Sequence, residues 1–191
     1  MKLVVGIGNP EKKYDRTRQN IGFRVLDHYL PDADWQTKFN AMYYKKTIKG
    51  EIVYFIKPLT YVNLSGIAVR EYVNYFDIAL EDILIIQDDL AQEIGSYKLK
   101  KNSSSGGHNG IKSIIQELGS EEFARLKIGI KNDYLKDTVS FVLGKFTKKD
   151  NEIIENNLDV FDDIIDSFIK KGIDYTMNIY NRKYNYYGIF K

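Results

Sequence analysis

The sequence predicts an α/β fold, a single globular domain with a mixed, mostly parallel twisted sheet flanked by helices. Strand-like apolar runs alternate with segments whose apolar residues recur at helical spacing, a pattern typical of sheets covered by helices. A chain of 191 residues has the size of one compact domain. No repeat or linker divides it, so we expect one domain over residues 1–191, with a helical C-terminal region from about 147 to 191.

The first half of the chain begins with a short apolar run. Residues 3–7 form this run and a Gly-Asn-Pro loop closes it, which predicts a buried strand. Asn20 stands where it can cap a helix that ends before Pro31. Residues 41–48 and 52–56 flank a Lys-Gly pair, and this arrangement predicts a hairpin.

The second half continues the alternation of strands and helices. Apolar residues at helical spacing extend from 148 to 171, which predicts a long amphipathic helix. The predicted elements are, in chain order, a helix that follows Asn63 and runs to 76, a strand over 82–86 that ends at Gln87-Asp88-Asp89, a strand over 96–100, a helix opened by His108-Asn109-Gly110 that runs to 118, a strand over 124–130, and the helix over 148–171.

The composition narrows the class of protein. The chain has no cysteine, which excludes disulfides and thiolate zinc sites and fits a reducing cytoplasm. The apolar N-terminal residues reach the Gly-Asn-Pro loop too soon to form the core of a signal peptide. No run approaches the roughly 18 apolar residues of a membrane helix, so we expect a cytoplasmic protein without a membrane partner.

The net charge of +2 conceals a basic middle and an acidic late segment. Residues 96–136 contain eight Lys and Arg against four Asp and Glu, whereas residues 150–168 contain seven acids and no base. One face with such an excess of positive charge can bind a polyanion. Solvated surface charge is the alternative explanation of the same pattern.

Polar residues at strand ends are the first candidates for a functional site. Asn9, Asn63 and Asp88 each follow a predicted strand or its loop, where sites gather in open α/β sheets. His108-Asn109 stands at a helix start, where free backbone N–H groups favour a phosphate or a developing anion. Asn and Asp are also ordinary loop and cap residues, so a local structural role remains open for each.

Three other kinds of site have less support. A Gly-x-Gly pair after the first strand invites a dinucleotide site, as in a Rossmann oxidoreductase, but the third glycine of that motif is absent. No Gly-x-Ser-x-Gly turn is present for a Ser-His-Asp hydrolase. Four residues could bind a hard metal, but their spacing matches no ligand motif: Asp88, Asp89, Glu93 and His108. We therefore expect neither a metal nor a cofactor.

Seven short blocks along the chain form one pattern. They are Gly6-Ile7-Gly8-Asn9-Pro10 with Tyr14, then Thr17-Arg18-Gln19-Asn20-Ile21-Gly22-Phe23, then 57–66 (KPLTYVNLSG), Asp88-Asp89-Leu90, Gly106-Gly107-His108-Asn109-Gly110, and the segments 123–130 and 141–146. Their order and spacing resemble the bacterial-type peptidyl-tRNA hydrolase family over roughly residues 2 to 146, with a weaker helical match beyond. Several blocks in register make this resemblance far more specific than any single motif.

The resemblance implies an esterase that cuts the bond between a peptide and the 3′ end of tRNA, and so recycles tRNA. It implies that an acid, here Asp88, holds a histidine in its basic form, and that Asn9 helps to distinguish blocked from free aminoacyl-tRNA. The region after Lys136 should include a mobile cover over the cleft, and the protein should be a monomer. Implied contacts with the substrate or the tRNA acceptor arm are Tyr14, Tyr61, Asn63, His108, Asn109, Lys98, Lys100 and Lys127.

Gln19 stands where the family pattern has its catalytic histidine. An amide cannot take a proton from water near pH 7, and loss of a general base typically costs about 10²–10⁴-fold in rate. Three explanations remain open. Gln19 is an introduced substitution; or it is a natural variant that positions the water while His108 or Asp88 acts as base; or it marks a natural loss of catalysis that leaves a tRNA-binding module. We expect impaired hydrolysis in a cleft lined by Asn9, Gln19, Asn63, Asp88 and Asn109.

Overall fold

A computed structural model describes the backbone of residues 1–190 and the side chains of residues 1–181. Seven strands form one sheet in the order β2-β3-β4-β1-β5-β7-β6. The elements are, in chain order, β1 (Lys2–Gly6), α1 (Ile21–Tyr29), β2 (Gln36–Lys38), β3 (Ala41–Ile48), β4 (Glu51–Pro58), α2 (Ser65–Phe76), β5 (Ile83–Glu93), β6 (Tyr97–Lys100), α3 (Asn109–Leu118), β7 (Ala124–Lys131), α4 (Thr138–Leu143), α5 (Lys148–Lys171) and α6 (Ile173–Phe190).

The sheet is parallel at its centre and antiparallel at its edges. β4, β1, β5 and β7 are neighbours and run parallel. β2 and β3 extend one edge, and β6 extends the other, by antiparallel pairing. Parallel strands need long crossover connections, and α2 supplies the one between β4 and β5. This mixed sheet with flanking helices confirms the predicted fold class.

Both faces of the sheet are buried under helices. Along β1, Val4 packs in one apolar cluster with α1 and α5, whereas Leu3 and Val5 pack in the other with α2 and α3. Successive side chains of a strand point to opposite faces, so a strand covered on both sides reads as a continuous apolar run. The residues 83–86 of β5 are such a run and are fully buried.

Helix α1 lies directly on the end of β1 and on the first half of β5. A Cβ at Gly22 would come within 2.4 Å of the backbone nitrogen of Ile7 and 2.6 Å of the carbonyl oxygen of Ile86, so only glycine permits this approach. The contact places Asn20, just before α1, beside the loop that follows β1.

Strand β5 is longer than predicted. Residues 87–89 were expected to end it, but they continue to pair with β7 and the strand runs to Glu93. Asp88 therefore lies within a strand, although it lies past the end of the neighbouring β1, whose pairing with β5 stops at Ile86.

Three elements could not be predicted from apolar spacing. β2 is three exposed residues, and α4 is six residues long, too short for a periodic pattern. α6 has a mixed polar and aromatic sequence, and it follows α5 in the C-terminal region that was expected to be helical. The last residue of that region, Lys191, lies outside the described residues. Over residues 1–190, no helix is both long and apolar enough to cross a membrane.

Candidate active site

A cleft of about 360 Å³ opens beside the end of β1 and the middle of β5. α4 forms one of its walls with Thr138, Val139, Val142 and Leu143. Eight of the eleven residues that the sequence singled out line this cleft: Asn9, Tyr14, Gln19, Tyr61, Asn63, Asp88, His108 and Asn109. The other three, Lys98, Lys100 and Lys127, lie outside it.

Asn20 holds the loop that carries Asn9. Its Oδ1 accepts a hydrogen bond from the backbone nitrogen of Asn9 at 2.8 Å, and its Nδ2 donates to the carbonyl oxygen of Asn9 at 2.9 Å. Asn20 precedes α1 as predicted, but its side chain makes no capping hydrogen bond to the helix. The predicted capping role of Asn20 is therefore wrong, because its side-chain amide is hydrogen-bonded to the backbone of Asn9 instead.

The side chain of Asn9 connects two segments of the cleft. Its Oδ1 accepts from the backbone nitrogen of Val62 at 3.0 Å, and its Nδ2 donates to Gln19 Oε1 at 3.1 Å. Asn9 is 6% exposed, so these bonds are shielded from water. No hydrogen bond within the described residues uses Gln19 Nε2, which leaves that amide nitrogen available to a ligand.

Asp88 is bonded to His108, with 2.8 Å between Asp88 Oδ1 and His108 Nε2. The other ring nitrogen, Nδ1, accepts from the backbone nitrogens of Gly110 and Ile111 at 3.1 and 3.2 Å. A nitrogen that accepts carries no proton, so the proton of the neutral ring is on Nε2 and points to Asp88. Both ring nitrogens of His108 are thereby engaged.

His108 caps α3, as the alternative structural role allowed. The backbone N–H groups of Gly110 and Ile111, expected to be free for an anion, are held by the imidazole. Burial opposes the charged form of His108, but Asp88, with a smaller contribution from Asp89, favours it, and the pKa of His108 is raised overall. A proton on Nδ1 would remove the acceptor that caps α3, so charging of His108 and capping by its ring exclude each other.

Tyr61 lines the cleft in a strained conformation. Its φ of 61° and ψ of 157° fall in a region that residues with a Cβ rarely adopt. The Tyr61 hydroxyl donates to Glu11, which fixes the ring at the cleft mouth. Strain of this kind is concentrated at functional sites, where surrounding contacts maintain it.

A cluster of lysines, which we call the basic edge, lies on β6 and β7: Lys98, Lys100 and Lys127. Lys98 is paired directly with Lys127 in the antiparallel ladder, and Lys100 lies two residues along the same face. Like charges in these positions repel each other and disfavour the folded state unless an anion is bound.

The basic edge reaches the strand that carries Asp88. Lys127 is paired with Gln87 of β5, and its Nζ lies 3.8 Å from Asp89 Oδ2. Burial lowers the pKa of Lys127; Asp89 opposes this, and Lys100, Arg125 and Lys98 add to the lowering. Lys127 of the basic edge therefore lies on the strand directly next to the one that carries Asp88.

A group of side chains with metal-ligating atoms lies outside the cleft. Of the described residues, His28, Asp159 and Asp162 come within 4.8 Å of one another. Asp162 lies 2.9 Å from Nδ1 of His28, and Asp159 lies 3.8 Å from Nε2, so each ring nitrogen has a carboxylate neighbour. The four residues considered as hard-metal ligands do not form such a group among the side chains described.

The order of the blocks and the fold agree with the comparisons to known proteins. The model of the family "Peptidyl-tRNA hydrolase" matches residues 3–187. The chain is 45% identical to the peptidyl-tRNA hydrolase of Lactobacillus acidophilus, over 95% of this chain and 100% of that one. It is 42% identical to the peptidyl-tRNA hydrolase of Clostridium novyi, over 95% and 98%.

A crystal structure leads to the same assignment. The peptidyl-tRNA hydrolase of Acinetobacter baumannii superposes with a TM-score of 0.85 and 31% identity, over 93% of each chain. These matches in sequence and in fold cover both halves of the chain. The chain belongs to the peptidyl-tRNA hydrolase family.

Proposed function

We propose that this protein hydrolyses the ester that joins a peptide to the 3′ end of tRNA, at a rate limited by Gln19. The observation that carries the proposal is that Lys127 of the basic edge lies on the strand next to the one that carries Asp88 of the cleft. The cleft offers amide and carboxylate groups to a peptidyl ester, and the basic edge offers positive charge to the attached polyanion. A cytoplasmic enzyme that recycles tRNA needs both, and one chain supplies both, so we propose that it acts as a monomer.

The basic edge is suited to the acceptor arm of any tRNA. Lysine contacts phosphates as a point charge and reads no base, so Lys98, Lys100 and Lys127 would bind many tRNAs alike. Bound phosphates would also relieve the repulsion among the three ammonium groups. Removing one such contact should weaken tRNA binding and reduce its salt dependence, with little effect on the chemical step.

The attacking water needs an acceptor for its proton, and the contacts favour Asp88 over His108. His108 has no free ring nitrogen, because Asp88 and the start of α3 occupy both. Asp88 uses only Oδ1 in hydrogen bonds among the described side chains, so Oδ2 is available to a water in the cleft. In this proposal His108 positions the carboxylate and Asp88 takes the proton.

Gln19 positions the water without activating it. Asn9 holds Gln19 Oε1, and Nε2 remains to donate a hydrogen bond to the water or the ester. Neither amide atom accepts a proton at neutral pH, so the step depends on a carboxylate, a weaker base than an imidazole. Hydrolysis is therefore proposed to be slow relative to a chain with histidine at this position.

The test is single-turnover cleavage of an N-blocked aminoacyl-tRNA by the protein and by its Gln19→His variant. The variant should be faster by about 10²-fold or more, since a positioned general base contributes about that much. Asp88→Asn in the original background should abolish the residual activity, whereas Lys46→Gln, on the opposite edge of the sheet, should change nothing.

The second candidate is a tRNA-binding module without catalysis, which the amide at position 19 also favours. In that case neither the protein nor Gln19→His cleaves, although both bind tRNA with a steep dependence on salt. Rapid cleavage by the unaltered protein would instead show that Gln19 does not limit the rate. Wild-type activity of His108→Ala would exclude any need for His108 to position the carboxylate.

A further inference from the structure

A second cavity, of about 560 Å³, lies on the other side of the loop between β1 and α1. It is lined by Pro10 and Asn20, whereas the cleft is lined by the neighbouring Asn9 and Gln19. The two cavities share no lining residue. Its charged walls include Arg16, Arg24, Asp27 and Lys57, and its apolar walls include Phe23 and Leu158.

Arg24 carries buried donors that nothing accepts. The side chain is 9% exposed, and its Nε, Nη1 and Nη2 are buried without a hydrogen-bond partner among the described residues. Glu155 lies 3.6 Å from Nη2, near enough for charge attraction but outside hydrogen-bonding geometry. Unsatisfied buried donors on a cation are costly to the folded state, so an acceptor brought to these atoms would stabilise it.

Arg16 brings a second guanidinium group to the same cavity. It is exposed and adopts a φ of 61°, in the left-handed region that a residue with a Cβ seldom occupies. Burial lowers the pKa of Arg24, and repulsion from Arg16 adds more to this lowering than Glu155 removes. Lys57 is already paired with Asp27 at 2.6 Å, so the positive charge left for a ligand is that of Arg16 and of Arg24, which Glu155 offsets in part. Asp15 also lines the cavity.

We propose that this cavity binds a phosphate group through Arg24 and Arg16. A guanidinium presents its N–H donors in a fixed planar fork, and two guanidinium groups can satisfy several oxygens of a tetrahedral oxyanion. The apolar walls would accommodate whatever the phosphate is attached to. The group comes either from a backbone phosphate of tRNA or from a free phosphate compound, and both present the same oxyanion to the arginines.

Inorganic phosphate is the first probe, with chloride at matched ionic strength as its control. The readout is the Nε–Hε resonance of Arg24 by NMR, which reports on this cavity and is insensitive to phosphate at the basic edge. Phosphate should shift that resonance saturably, and chloride should not. A resonance that responds equally to both salts would overturn the proposal.

Variants provide an independent check. By isothermal titration, Arg24→Gln and Arg16→Gln should each weaken the phosphate affinity of this site at least 10-fold. Arg16 is exposed, so its replacement leaves the fold intact even if Arg24→Gln does not fold. Arg70→Gln is the matched control, because Arg70 of α2 is paired with Glu117 of α3, and both helices cover the face of the sheet opposite α1. Unchanged affinity in Arg16→Gln would refute the site.

Binding of deacylated tRNA distinguishes the two possible sources of the phosphate group, tRNA and a free phosphate compound. Only this experiment rests on the proposed function. If tRNA displaces phosphate from Arg24, and Arg16→Gln weakens tRNA binding severalfold, the phosphate belongs to tRNA. If phosphate and tRNA bind independently, the site serves a free phosphate compound. Either result keeps the proposal, and failure of the ester cleavage test leaves the inorganic phosphate result unaffected.

Discussion

Replacing Asn20 by alanine removes the two hydrogen bonds that hold the backbone of Asn9. Those bonds are 2.8 and 2.9 Å long, and Asn20 is 2% exposed, so water cannot reach the groups they leave behind. A buried polar group without its partner costs about 1–3 kcal/mol, which gives about 2–6 kcal/mol for the N–H and the C=O together. We expect a loss near the middle of that range, about 4 kcal/mol, in the free energy of unfolding.

The assay is urea unfolding followed by far-UV circular dichroism. Asn20→Asp keeps an acceptor for the Asn9 N–H but has no donor for the Asn9 carbonyl, so it should lose less stability than Asn20→Ala. Asn156→Ala, an exposed asparagine of α5, should stay within about 0.5 kcal/mol of the unaltered protein. A loss below about 1 kcal/mol for Asn20→Ala would show that the Asn9 backbone finds other partners and that our estimate is wrong.

Three further substitutions test other contacts. His108→Asn keeps an acceptor at the start of α3 but loses the partner of Asp88, so its free energy of unfolding in urea should be below that of the unaltered protein. It should be above that of His108→Ala by about 1 kcal/mol, because the alanine also removes the cap. Equal stability of the two variants would contradict the capping role of His108. Tyr61→Gly removes a conformation that costs about 1–3 kcal/mol, so its thermal midpoint should hold or rise, and a clear fall would mean that Tyr61 is not strained. Burial raises the pKa of Asp162; His28 opposes this rise, and repulsion from Asp159 adds to it. The ionised Asp162 carboxylate therefore destabilises the folded protein at pH values above this raised pKa, and the destabilisation is lost as the pH falls through the raised pKa. Asp162→Asn should therefore be more stable at neutral pH, with a gain that closes on acidification; a gain independent of pH would exclude this cause.

The fold could be predicted because the buried strands are continuous apolar runs. Residues 83–86 are buried on both faces of the sheet, and such a run leaves few alternatives to a central strand. The start of α1 was equally visible, since a polar residue preceded helical spacing. The contacts of Asn20 could not be predicted in the same way, because an asparagine before a helix commonly caps that helix, whereas Asn20 bonds to the backbone of Asn9 instead.

The cleft depended on contacts that no local pattern contains. The pairing of Lys98 with Lys127 depends on the register of β6 against β7, and the sequence alone does not fix that register. The bond between Asp88 and His108 joins a strand to a helix start twenty residues later. The wall made by α4 lies in the region after Lys136, where the resemblance implied a cover over the cleft; apolar spacing could not predict this helix, because six residues show no helical period.

Gly66 brings α2 and α3 closer together than any other residue would allow. A Cβ there would lie 2.2 Å from the carbonyl oxygen of Ser113, and the Gly66 N–H donates to Ser113 Oγ at 3.0 Å. The segment before α2 carries Asn63, and the start of α3 carries Asn109, so this contact fixes the positions of two segments that line the cleft relative to each other. That part of the cleft is preorganised: its conformational entropy is already lost on folding, and a substrate need not supply that ordering when it binds.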